Sequence, residues 1–402
     1  LDTFDLKEGR WTPPDFDVRT IKPGLVLPYG LFPKLAQQID QVAIVRSVEA
    51  WESAHARALY YLQAGHAPSP ARQKEIPSLG AIVAYEMRPC RRPSDFLPPF
   101  IAMNFAGGLG VLVGEGCLSH ELGPVALDVK EESPLVVLPE ERSVFERRWR
   151  LLQEFEDFPR VEAKGHLSQK LYQAFHSSYG SAFALMSSPR LPGIFRLKEE
   201  EQKRYGNSAL GDACILARRL VEADAGTRYI SISHNGWDLH AKMFDRNERV
   251  NHYTLCKELD NALASLLEDL ARTKAADGKT LLEKTFIVAM GEFGRTGGDL
   301  TVNKGRDHNR MAQTALFAGA GVRGGRTFGV TDGAGVKILS SEWGKKRSIL
   351  TEDVVATIYS QLGIDWTKKI TNTPSGRVFE YLESASGTAF VDISEVSQLF
   401  AS

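Results

Sequence analysis

Cysteine is scarce: Cys90, Cys117, Cys214 and Cys256 are the only four in 402 residues, and they form no Cys-x-x-Cys pair. Neither a disulfide framework nor a zinc knuckle is indicated, and small buried side chains are their expected role. Excess charge is missing too, since 49 Lys and Arg balance 50 Asp and Glu to a formal −1. No global field recruits nucleic acid or an anionic membrane. Long apolar runs are absent: the stretches 285–290 and 314–320 are strand-sized, far short of the roughly 20 residues a membrane span needs. Internal repeats and low-complexity linkers are also lacking.

What is present is ordinary globular material, 43% hydrophobic and 25% charged. The length suffices for a large sheet covered by helices on both faces. We read residues 1–402 as one domain, with a helical covering insertion over about 140–226. The opening residues resemble the middle of an element rather than a natural start, which is compatible with a removed export segment.

Hydrophobic spacing predicts strands at 42–46, 100–104, 228–233, 285–290 and 314–318. It predicts helices at 53–63, 79–86, 143–158, 167–186, 212–223, 253–274 and 351–362. Alternation of this kind favours an α/β fold with a doubly wound, mostly parallel sheet and helices on both faces. In such sheets the ligand sits beyond the carboxyl ends of the strands. The glycine-rich stretch 319–329 does not open a helix and reads as a turn rather than a phosphate cradle.

Titratable residues gather in four places around those strand ends. The segment 234–240 offers His234, Asp238 and His240, and imidazole with carboxylate suits zinc, manganese or iron. An Asp-capped turn with surface histidines is the plainer alternative. Beyond residue 290 come Glu292 and Arg295: either a metal ligand beside a guanidinium that clamps an oxyanion, or an ion pair tying down a loop. Arg306, Asp307 and His308 then provide either a ligand with its orienting partner or a solvated loop. Ser47, Glu52, Ser53 and His55 surround the turn into the first helix, where backbone donors favour an oxyanion. Ser53 as a simple helix cap is the alternative there.

Read together, Asp2-Thr3-Phe4-Asp5, Ala54-His55, Pro77-Ser78-Leu79-Gly80, Ser188-Pro189, Gly236-Trp237-Asp238-Leu239-His240, Glu292-Phe293-Gly294-Arg295-Thr296 and Gly305-Arg306-Asp307-His308 resemble the signature of a bacterial family of unknown function. That family is similar to sulfatases and alkaline phosphatases, and its members often carry a twin-arginine export signal. The resemblance extends to about residue 381.

It implies an alkaline phosphatase-like core whose strand-end carboxylates and histidines hold a divalent metal: zinc, manganese or calcium. Asp2, Asp238, His240 and His308 would be the metal ligands, with Glu292 as a further ligand or general base. Arg295 would neutralise the oxyanion of a small anionic ester, and His55, standing where the family's relatives place a nucleophile, would be nucleophile, acid/base or ligand. Phe293 replaces a histidine that binds a second metal in active relatives, and no Cys-x-Pro-x-Arg segment provides formylglycine. The implied function is a phosphate or sulfate ester hydrolase, periplasmic or extracellular. The alternative is an inactive exported anion-binding or scaffold protein of the same fold.

Overall fold

The computed structural model describes residues 3–7, 11–106, 111–129, 142–157 and 180–400, apart from 181, 184, 384, 387, 388 and 391. Asp2 and most of the helix expected over 167–186 therefore lie outside the described residues.

The strand Val42–Glu49 is buried over most of its length and organises a five-stranded sheet. Arg326–Phe328 and Ile349–Leu350 pair with one edge of it in parallel. Gln313–Ala318 pairs with the other edge antiparallel, and Ile287–Met290 lies antiparallel beyond that. A three-stranded sheet, Val125–Leu127, Phe100–Met103 and Tyr229–Ile232, is parallel throughout.

The fold is thus mixed α/β, and the expected mostly parallel arrangement holds only for the smaller sheet. The reason is connectivity. A parallel neighbour requires a long crossover, usually a helix, whereas the chain from Met290 to Gln313 makes a short antiparallel ladder, Gly294–Arg295 against His308–Asn309. It therefore re-enters the sheet in the opposite direction. One consequence positions the site: Gln313 pairs with Val48 and Ala315 with Met290. The start of Gln313–Ala318 shares one end of the sheet with the finish of its two neighbours.

Side-chain alternation explains the layers. Ile44 and Leu316 pack into a core shared with Leu263, Leu267 and Leu270 of the helix His252–Arg272. Val45, Ala315 and Phe317 face the opposite way, onto Val354 and Leu399. Helices accordingly cover both faces. His252–Arg272 starts with a capping box between Asn251 and Thr254, and its leucine stripe repeats at helical spacing. Each leucine so buried stabilises by about 1.5–3 kcal/mol. The helix His55–Ala64 ends on Gly65 at φ 66, a conformation glycine adopts without penalty. It packs through Tyr60 and Ala64 against Leu79–Glu86 and Thr351–Gln361. Cys214 and Cys256 are buried as expected, but Cys90 is exposed and Cys117 half-buried, and all four are free thiols.

Candidate metal centre

Three segments meet at the shared end of the large sheet. His55 opens its helix just after the Val42–Glu49 strand, with Ala54 as N-cap. Asp238 and His240 come from the loop after Tyr229–Ile232, and His308 lies opposite Arg295 in the short ladder. One ligand atom from each of His55, Asp238, His240 and His308 falls within 4.8 Å of all the others.

The convergence has a single focus, Asp238 Oδ1. The Nε2 atoms of His55, His240 and His308 stand 3.1, 2.8 and 3.2 Å from it. The Nη1 of Arg295 donates to the same oxygen at 2.6 Å. Partial burial acts to raise the Asp238 carboxyl, but the contacts with Arg295 and His308 and the charges of Arg295 and His55 outweigh it, so its pKa falls well below the usual carboxylate range.

The outer nitrogens are anchored. His55 Nδ1 is 2.6 Å from Glu292 Oε1, and His308 Nδ1 donates to the Ser53 carbonyl at 2.7 Å. A carbonyl only accepts, so a neutral His308 carries its proton on Nδ1 and turns an Nε2 lone pair inward. Held by a carboxylate, a neutral His55 does the same. Oriented imidazoles of this kind are typical of metal sites. His240 is held more loosely, with Nδ1 3.8 Å from Asp307 Oδ1 and Nε2 3.0 Å from His308 Nε2.

Whether a cation fits can be judged from His55 Nε2, which is buried and, although 3.1 Å from Asp238 Oδ1, makes no well-directed hydrogen bond. Leaving such an atom unsatisfied costs on the order of 1–3 kcal/mol. Either protons or a cation must lie between these nitrogens and Asp238, and a divalent ion satisfies all four groups at once. Exposure grades across the site: the His55 side chain is 15% exposed, His308 21% and His240 44%, so the centre opens to solvent beside His240. A cavity of about 330 Å³, lined by Lys242, Phe244, Asp245, Leu300 and Lys304, adjoins that loop through the Ala241–Lys304 bridge.

Other candidates from the sequence go elsewhere. His234 Nε2 lies 2.9 Å from Glu258, and its Nδ1 accepts from Trp237. Ser47 is buried and donates to the Ser341 carbonyl, while Glu52 pairs with Arg57. Ser53 contributes its carbonyl to the site and not a helix cap. Glu292 sits behind His55 as its orienting partner. From the first motif, Asp5 is buried and accepts from Thr331 and Lys7. Phe293 packs on His55 and His308 at ring distances of 4.9 and 4.5 Å. Sequence reading did not foresee the Ser53 carbonyl or the role of Gly305, where a Cβ would lie 2.1 Å from the His240 carbonyl carbon. A glycine just before the Arg306-Asp307-His308 run was the one available signal for the latter.

No curated protein matches this chain. Among solved structures it is similar to a protein in the alkaline phosphatase superfamily from Vibrio parahaemolyticus, with 11% identity and a TM-score of 0.37, covering 83% of this chain. This chain spans 61% of that neighbour's length, and the likeness is too slight to fix fold or activity. The family described as "Protein of unknown function (DUF1501)" matches residues 14–389, nearly the whole chain, and the chain belongs to it.

Proposed function

We propose that the protein is a one-metal hydrolase of small phosphate or sulfate esters. The observation that carries this reading is the turning of three imidazole Nε2 atoms onto one carboxylate oxygen, with the rings of His55 and His308 anchored from behind. Three nitrogens and a carboxylate suit zinc or manganese; calcium, which takes about six to eight oxygen ligands, suits them poorly. His55, Asp238, His240 and His308 would hold the ion, and the ion would supply Lewis acidity at an ester oxygen.

The protein's own groups divide the remaining work. His55 has both ring nitrogens turned toward carboxylates, Glu292 and Asp238, so it serves as a ligand and leaves attack to water. Arg295 is the cation for the ester's anionic oxygens. Glu292 is committed to His55, which leaves Asp307, the exposed carboxylate beside His240, as proton acceptor. The cavity beside the His240 loop has room for the organic part of the ester. By the motif resemblance we further assign an alkaline phosphatase-like core and an exported, periplasmic or extracellular location.

The rival reading is an inactive anion-binding protein, and Phe293 favours it by filling the position that the resemblance gives to a second-metal histidine. Metal analysis of protein purified without chelator, followed by an aryl phosphate and aryl sulfate screen, separates the two. Stoichiometric metal with ester turnover is expected. Metal-free protein inert on every ester would overturn the proposal, and metal without turnover would favour the rival.

A further inference from the structure

We propose that Arg295 and the divalent cation exchange places on Asp238 Oδ1, so that metal binding itself frees the guanidinium for an oxyanion. This inference rests on the metal reading of the site and goes beyond it by assigning the site's order of assembly.

The backbone fixes where Arg295 begins. Pairing of Arg295 with His308 in the antiparallel ladder puts both residues at the same rung. From there Nη1 donates to Asp238 Oδ1 at 2.6 Å, while the three imidazole Nε2 atoms lie 2.8–3.2 Å from that oxygen. A cation among those nitrogens would take the same carboxylate oxygen at about 2.0–2.2 Å. The guanidinium would then face a divalent charge at close range, in a half-buried setting where repulsion is strong. In the same pose that bonds Asp238, the Arg295 Cζ already lies 5.6 Å from the centre of the Phe293 ring. A guanidinium that let go of Asp238 would keep that ring beneath it and stay at the mouth of the site with donors released. Phe293, which displaces a second-metal histidine in the resemblance, thereby gains a role as the support for a mobile arginine.

Linkage makes the exchange measurable. If the cation expels Arg295 from Asp238, an oxyanion that captures Arg295 must in turn tighten the cation, by the same factor. Removing the guanidinium should raise anion-free metal affinity, because the ion no longer competes with a charge-assisted hydrogen bond. A guanidinium that only repelled the ion from a fixed position would also give some gain in Arg295→Gln, but Arg295→Lys would keep that repulsion and methylphosphonate would not tighten the metal most in wild type.

The test is titration of the full chain with Zn²⁺ against a chromophoric chelator, with and without methylphosphonate, for wild type, Arg295→Gln and Arg295→Lys. We expect Arg295→Gln to bind Zn²⁺ about tenfold more tightly or better without anion, Arg295→Lys to fall between it and wild type, and methylphosphonate to tighten Zn²⁺ most in wild type. Should Arg295→Gln not fold, Arg295→Lys alone decides by the same comparison. Unchanged or weaker Zn²⁺ binding in folded variants, with wild type binding normally, overturns the exchange and leaves the metal site standing. Zn²⁺ binding by none of the three overturns the metal reading and the exchange with it.

Discussion

His55 Nδ1 and Glu292 Oε1 lie 2.6 Å apart although 237 positions separate them in the chain. The contact fixes the plane of a ring whose other nitrogen faces Asp238. Truncation to Glu292→Ala should leave the fold intact but let the imidazole rotate, lowering zinc affinity about 10–100-fold. Isothermal titration alongside a melting curve checks this; equal affinity in the variant would show that Glu292 does not orient the ring.

Asp238 Oδ1 is the atom on which His55, His240, His308 and Arg295 all converge. Asp238→Asn keeps the size and removes the charge. Stoichiometric metal should be lost and ester turnover, where present, should go with it, as read by elemental analysis of the purified variant. Full metal occupancy in Asp238→Asn would place the ion elsewhere.

Gly305 packs against the backbone of the His240 loop so closely that an added Cβ would lie 2.1 Å from the His240 carbonyl carbon and 2.3 Å from its oxygen. Neither neighbour is a flexible side-chain tip. Gly305→Ala should therefore cost about 1–3 kcal/mol and shift His240, weakening zinc more than a surface alanine substitution does. Thermal melts and zinc titration, run together, report both effects.

Much of this was legible in the residues, and what was not has identifiable causes. The strands and helices follow from apolar spacing, and the helix 253–274 expected from its leucines is His252–Arg272. Strand direction carries no such signal: residues 314–318 look the same whichever way they run. Only the absence of a helix between Met290 and Gln313 hints at the antiparallel entry. That entry also explains why His308 precedes its strand while Glu292 and His55 follow theirs, since all three reach one end of the large sheet. By residue type and loop position His234 matched His240, and only the motif resemblance set His240 apart. His234 is diverted by Glu258, which lies 24 positions away on the flank of a helix and is linked to it only by the fold.

Away from the centre, Glu352 is 4% exposed and accepts a hydrogen bond from Tyr61, whose ring stacks on Trp51. Burial raises its carboxyl above the ordinary value, outweighing the Tyr61 bond that acts to lower it. The folded chain therefore holds this proton more tightly than the unfolded chain. Its contribution to stability is fully present below the unfolded pKa and is lost as pH rises through the folded one. Glu352→Gln keeps an acceptor for Tyr61 and cannot ionise. Its melting temperature should gain on wild type as pH rises above the ordinary carboxylate range and level off once the folded-state carboxyl has ionised, by about 1.4 kcal/mol for every tenfold difference in proton affinity between the folded and unfolded chains. A difference that stays constant with pH would contradict the assignment.

The Ser53 carbonyl and the His308 ring meet across 255 positions. The four-residue cluster is consequently incomplete until residue 308 has emerged and its ring has reached the turn before the first helix. On the proposed metal reading, capture at full strength would be a late event, available to the finished protein and not to its fragments. A ligand of that kind would favour the completed state by RT ln(1 + [L]/Kd), and ion uptake would then read out correct assembly during maturation.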